Sequence, residues 1–375
     1  MFRGLLLWAI TAFAWAEQVV DLYQTQSLIK SQSGSERARA AADGLAEVFL
    51  RVSGSEGTLR NPLIAKALRR AQSYMYEFRY ESTDETLLEG GKEIPASRIV
   101  MKFSPQAVEK VLRQARMPMW PANRRSVVMW LVVDKLSGGR QLVGEAENPQ
   151  EVKVLTAASV RRGLPVIVPL LDLEDRITLS ADDAWNLEEN AIRQASKRYR
   201  ADSILIGRYS QTSRGRWRGN WTLLDDRQGG SMFDSSGRNL DEIIAKGVDQ
   251  VAGYMASLAA IVPGAESSGA VVMQLDGIKH FGSYIKVLKY LESLAVVRHA
   301  ELTAVHEDTL LLQLYTEGEL ALLIDALALD KKIFPVAAAD TAYAVNREPV
   351  IGTGVPWQGP RGSAQNPLQY KWPET

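Results

Sequence analysis

The sequence predicts a mixed chain, part α+β and part α/β, folded as three small domains. Three observations lead there. Apolar residues repeatedly switch between helical steps of three and four and the alternation of a strand; continuous apolar runs occur at 127–133 and 166–170; and turn-rich segments at 117–123 and 263–269 divide the chain. A length of 375 residues fits two or three such units.

Ahead of them, Arg3 precedes an apolar stretch at 5–13 broken only by Thr11, and Ala14-Trp15-Ala16 precedes Glu17. That order predicts a signal peptide over residues 1–16, cleaved after Ala16. The stretch is short of the ~20 residues a membrane helix needs, and no later run is longer. The mature chain is therefore expected to be periplasmic, with no transmembrane segment. There is no cysteine, so neither a disulfide nor a cysteine-linked lipid is available. Lys plus Arg equals Asp plus Glu at 44 each, which gives no electrostatic footprint for nucleic acid or acidic lipid.

The first domain is expected over 17–117. Residues 19–23 read as a strand. Ser33 to Glu36 offers a capping box, followed by Ala41, Leu45, Val48, Phe49 and Val52 on one helical face, closed by Ser53-Gly54. Asn61-Pro62 starts a second helix. Tyr74, Tyr76, Phe78 and Tyr80 alternate as a half-buried strand, Gly90-Gly91 turns it, and Ile99, Met101 and Phe103 answer it. Ser104-Pro105 opens a third helix.

The second domain is expected over 124–262. The run 127–133 predicts a strand covered on both faces. A helix from Asn148-Pro149 to Arg162 ends at Gly163, and 166–170 predicts a second buried strand. Ser180 begins a helical region with Ile192, Ala195 and Tyr199 on one face, and 204–206 forms a third strand. Trp217, Gly219, Trp221 and Leu223 then alternate with polar residues, Gly229-Gly230 turns the chain, and a helix over 240–258 closes the unit. This order implies a mixed sheet with helices packed on it. The third domain, over 270–336, reads strand, helix, two strands, helix and a last strand at 333–336. That is a βαββαβ, ferredoxin-like order. Residues 340–375, rich in Pro, Gly, Asn and Gln, are expected to be a disordered tail.

Motifs for chemistry are sparse. Of the three histidines, His280, His299 and His306, the last two lie across an expected hairpin, but no cysteine and no third ligand at metal spacing joins them. Neither a nucleophile elbow nor a P-loop occurs, and Gly352-x-Gly354 has no helix after it. The carboxylates Asp172, Glu174, Asp175, Asp182 and Asp183 follow a strand end, where α/β sheets collect their sites. Arg161, Arg162 and Arg176 are near enough in sequence to neutralise them, and Asp182 and Asp183 sit where a helix N-terminus favours negative charge. Arg214, Arg216 and Arg218 interleave with Trp217 and Trp221, a mixture that single-stranded nucleic acid binders use. Alternation places rings and cations on opposite faces, which suits tryptophans in a core with arginines in solvent.

Residues 38–54 (ARAAADGLAEVFLRVSG), 161–175 (RRGLPVIVPLLDLED) and 195–207 (ASKRYRADSILIG) resemble the domain-of-unknown-function family 2066 of Gram-negative bacteria. That family has no established activity, so the resemblance transfers no site residue. The middle unit is similar in order to the N-terminal domain of TolB and to CsgG-like and LpoB-like periplasmic domains, which bind proteins or oligomerise. The first unit faintly resembles the flagellar assembly protein FlgT. Such likenesses bear on architecture.

The expected function is a non-enzymatic periplasmic binding or scaffolding protein that contacts envelope proteins, with neither cofactor nor nucleic acid. The expected contact surface is Arg161, Arg162, Asp172, Glu174, Asp175 and the exposed parts of Trp217 and Trp221. The rival is a metal-dependent hydrolase built on the 172–183 carboxylates. A third reading is a small-ligand carrier with a pocket between the first two domains.

Overall fold

The computed structural model describes residues 21–135, 138–225, 230–263, 270–336 and 360–373; the expected signal peptide lies outside them. Three sheets, of three, six and five strands, each carry their own helices, so the chain is built of several small α/β units.

The first unit comprises β1 (Gln24–Ile29), α1 (Gly34–Ser53), α2 (Pro62–Leu68), β2 (Met75–Glu89), β3 (Lys92–Phe103) and α3 (Pro105–Gln114). Its sheet runs β1-β3-β2, all antiparallel. Ile99, Met101 and Phe103 of the central strand face Leu45, Val48 and Phe49 of α1 in one core. The Ser33 hydroxyl accepts from the Glu36 amide at 3.3 Å and starts α1. Of the strand expected at 19–23, residues 19 and 20 lie outside the described residues; the strand found is Gln24–Ile29, which pairs with β3, while Leu22 and Tyr23 pack with the unit's core. Pairing with a buried central strand outweighs the polar composition of QTQSLI. Tyr76 and Phe78, expected half-buried, are exposed on the edge strand.

The second unit comprises β4 (Val127–Lys135), β5 (Gly139–Leu142), α4 (Pro149–Arg162), β6 (Val166–Ile167), α5 (Leu173–Thr178), α6 (Ala181–Asn186), α7 (Glu189–Ser196), β7 (Ser203–Gln211), β8 (Trp217–Leu224), β9 (Ser231–Gly237) and α8 (Leu240–Ala259). The sheet order is β5-β4-β7-β8-β9, with β6 beside the start of β4 and a parallel β4–β7 pair at its centre. Val127, Met129, Leu131 and Val133 face α4 and α8; Val128, Trp130 and Val132 face the α5–α7 side. Cover on both faces is why β4 is apolar at every position. The buried strand expected at 166–170 is shorter: only Val166 and Ile167 pair, both half-buried. Pro165 and Pro169 lack the N–H groups a longer ladder needs. Trp221 is fully buried, and its indole N–H donates to the Ser235 hydroxyl at 2.9 Å. Gly247 of α8 makes room for it: a Cβ there would lie 1.9 Å from the ring.

The third unit comprises β10 (Val271–Asp276), α9 (Phe281–Ser293), β11 (Val297–His306), β12 (Thr309–Thr316), α10 (Leu320–Asp330), β13 (Phe334–Pro335) and β14 (Leu368–Lys371), in sheet order β11-β12-β10-β14-β13. The first five elements follow the expected βαββα order. The sixth does not. β13 lies outermost, and β14, from the region expected to be a disordered tail, inserts between it and β10, parallel to β10. Phe334 is exposed and Pro335 cannot donate, so β13 cannot complete the core; Leu368 and Tyr370, both buried, do. The remainder of that expected tail, residues 340–359 and 374–375, lies outside the described residues.

Between the first two units, segment 117–123 is anchored as well as connecting. Met119 exchanges backbone hydrogen bonds with Ile261 at 2.8 and 2.9 Å, and the Trp120 amide donates to the Val52 carbonyl at 2.7 Å. Beside it the buried Arg124 spends all five N–H donors on carbonyls: Pro121 through Nε, Arg162 and Gly163 through Nη1, Arg51 and Trp120 through Nη2, at 2.8–3.2 Å. Gly163 has φ +64°, and a Cβ there would lie 2.4 Å from Arg124 Nη1. Burial, then the Arg51 charge, pushes the Arg124 pKa down to about 9, so the cation remains at neutral pH.

Two substitutions test this packing in urea denaturation. Arg124→Lys leaves at least two carbonyls unmatched and should cost roughly 3 kcal/mol, at about 1–3 kcal/mol per buried unsatisfied group. Gly247→Ala should cost about 3 kcal/mol through overpacking against Trp221, with partial recovery in a Trp221→Phe background.

Candidate contact surface

The expected surface residues divide between the two faces of the middle sheet. Arg161 and Arg162 end α4 on one side; Asp172, Glu174 and Asp175 belong to α5 on the other. Arg161 remains partly exposed and donates through Nη2 to both oxygens of Asp249, at 2.7 and 2.8 Å. Arg162 is 1 % exposed and donates to the Gly54 carbonyl at 2.8 Å, inside the junction of the first two units. It therefore leaves the candidate surface. Trp221 leaves it too, being wholly in the core. Trp217 is half-buried against Tyr209, ring centroids 6.0 Å apart, while Arg214, Arg216 and Arg218 are exposed.

The acidic residues do come together, around an arginine the sequence reading missed. Asp172 caps α5, its Oδ1 accepting from the Asp175 amide at 3.1 Å. Arg198 forks onto it, with Nη1 and Nη2 donating to its two oxygens at 2.8 and 2.9 Å. Nη1 also reaches Asp175 at 3.2 Å and lies 3.5 Å from Glu174. Asp175 is buried and accepts from the Leu171 amide at 2.9 Å and the Tyr199 hydroxyl at 2.5 Å. The Arg198 hydrogen bonds hold Asp172 below the usual carboxylate range, and burial followed by the Asp175 hydrogen bond raises the Tyr199 phenol.

The other carboxylates of the cluster are engaged separately. Asp182 pairs with Arg140 at 2.8 Å, and Asp183 completes a capping box with Ser180. Arg161, Arg162 and Arg176, expected to neutralise this cluster, bond elsewhere; Arg176 pairs with Glu147 and donates to the Leu171 carbonyl. Among the described residues no three metal-ligating side chains converge, and no helix is long and apolar enough to cross a membrane. His299 engages Glu292 at 2.9 Å.

Beside the Arg198 cluster stands an apolar group the sequence reading also missed. Leu170, Leu173 and Ile177 are 59, 75 and 76 % exposed. Leu173 and Ile177 lie one turn apart on α5 and so share a face. Glu174, Asp172 and Arg198 give this group a charged rim. The available signal was an apolar pair at i, i+4 in a helix too short to bury both sides.

Residues 16–121 match a family described only as a domain of unknown function (DUF8605). The match takes in the first unit and ends within the anchored segment before Arg124, covering less than a third of the chain. It corrects the resemblance to family 2066: the family found over this region is a different one. The TolB-like comparison likewise gains no support. No curated protein matches the chain.

The Arg198 fork gives a pH prediction. A depressed carboxylate contributes stability that is complete above its unfolded value, near 3.8, and lost as pH falls through the folded one. Carboxyl NMR titration should find Asp172 ionising below that value, and Arg198→Ala should return it toward 3.8.

Proposed function

We propose that this chain is an exported, non-enzymatic binding or scaffolding protein that contacts a partner protein of the cell envelope. The observation that carries the reading is the exposed Leu170, Leu173 and Ile177 group with its rim of Asp172, Glu174 and Arg198. Apolar side chains grouped in water and edged by charge have the composition of a contact site. Hydrogen bonds fix Asp172 and Arg198 of the rim, which keeps a net negative charge, so part of it offers a partner shape and pairing at little ordering cost. Export rests on Arg3, the 5–13 apolar stretch and Ala14-Trp15-Ala16.

The use of the acidic residues supports the absence of catalysis. Asp172 and Asp183 cap helices, Asp175 is buried against Tyr199, and Asp182 pairs with Arg140. Each of these four has a structural task, which supports a contact role over acid/base work.

A photo-crosslinking residue at Leu173 in living cells should capture an envelope protein that the same residue at the exposed Lys66 does not. The double change Leu173→Asp, Ile177→Asp should abolish capture, from a site elsewhere in the unit, without lowering the melting temperature. Capture of nothing beyond the Lys66 background would overturn the reading.

A further inference from the structure

On the other side of the middle sheet, the three units line a partly open cavity of about 490 Å³. Its size is within the range of small-molecule sites, roughly 300–1,000 Å³. Its apolar wall draws on every part of the chain: Leu22 from the first unit, Trp120 from the anchored segment, Met255 and Ile261 from the second, Leu294 and Leu322 from the third.

The charged groups on its wall all have polar partners, some of opposite charge and some neutral. Arg113 pairs with Glu317 at 2.6 Å, and Arg125 pairs with Asp225 at 3.0 Å and Asp325 at 3.3 Å. The Tyr23 hydroxyl donates to Glu109 at 2.7 Å, and Asn123 donates to Asp330. Arg124 has every donor committed. Glu109 and Asp330 are met by these neutral donors, and the wall's four carboxylates outnumber its three arginines, so an anionic ligand would meet excess negative charge. The strip of Asn123, Arg125 and Asp325 places hydrogen-bonding groups at one end of the apolar wall, where a polar head can lie.

We propose that this cavity is a binding site for one amphiphile without negative charge: a hydrocarbon body against the apolar wall, with a hydroxyl or amine head at the Asn123–Arg125 strip. The site is independent of the α5 contact surface, since it lies on the α8 face of the six-stranded sheet. Because its walls come from three units, an occupant would bind only their assembled form and raise its melting temperature.

The test uses the purified chain, freed of bound lipid, with three probes of equal chain length: decanol, decanoic acid and decylamine. Native mass spectrometry and calorimetry should show one decanol or one decylammonium bound per chain, with the decanoate anion at least about tenfold weaker because carboxylates outnumber cations on the wall. Ala326→Trp, which places a ring in the cavity, should abolish decanol binding while melting remains cooperative. If that variant does not fold, Leu329→Phe should weaken binding in its place. No decanol binding, equal binding of all three probes, or binding unchanged in a folded cavity variant would each overturn the proposal.

Discussion

The described structure turns on Arg124. Its guanidinium accepts no carboxylate; it is held by five backbone carbonyls from three stretches of chain. Two of those stretches are helix ends. Arg51 is in the last turn of α1, and Arg162 is the final residue of α4, positions whose carbonyls have no partner within their helix. A cation placed between two helix C-termini meets the negative ends of both macrodipoles. One buried side chain thus satisfies orphan carbonyls in two units and in the segment between them. Arg51 repeats the device in the other direction, donating to the carbonyls of Asp21, Leu22 and Gln24 and, across the junction, to that of Arg161. The first two units are consequently joined by backbone recognition, which carries no side-chain signature in the sequence.

That accounts for where the sequence was informative. β4 was legible because its environment is written in its own residues: an unbroken apolar run has to be covered on both faces, and odd and even positions divide between two cores. The capped start of α1, the Gly90-Gly91 hairpin and the Trp221 strand were legible for the same local reason. Junction chemistry was not. Nothing local marks Arg124 as a buried fork, or Arg162 as interior while Arg161 stays partly exposed, because their acceptors are carbonyls. The fork of Arg198 onto Asp172 was hidden by a separation of 26 residues, and nearer arginines drew the assignment. The contact surface was half legible: its carboxylates were singled out, whereas the short helix α5 and its exposed leucine and isoleucine were not.

The C-terminal strand shows a different limit. Leu368, Tyr370 and Trp372 alternate between two prolines, a strand pattern only a few residues long within a region whose composition suggests disorder. Composition averages over a window, whereas strand pairing needs only a few residues with an edge to receive them. β10 offers that edge, because β13 is too short and too exposed to cover it. Trp372 extends the same attachment, its ring centroid 6.4 Å from that of Tyr290 on α9. A segment weak by itself is therefore fixed by an unsatisfied neighbour.

The two kinds of seam in the chain differ in energetics. The first and second units meet through buried guanidinium–carbonyl bonds, where loss of one partner strands several polar groups without water. The third unit meets the others around the cavity largely through pairs of charged side chains, Arg113–Glu317 and Arg125–Asp325, which retain some access to solvent. Pairs of that kind contribute little, of order 0–1 kcal/mol each when exposed. Apolar surface facing the cavity from the third unit consequently contributes less burial than it would in direct packing. A junction so arranged positions the third unit by directional polar contacts while leaving apolar area in reserve. Strong fixation at one seam and weak fixation around an open volume at the other make the second seam the place where an additional molecule has most to add.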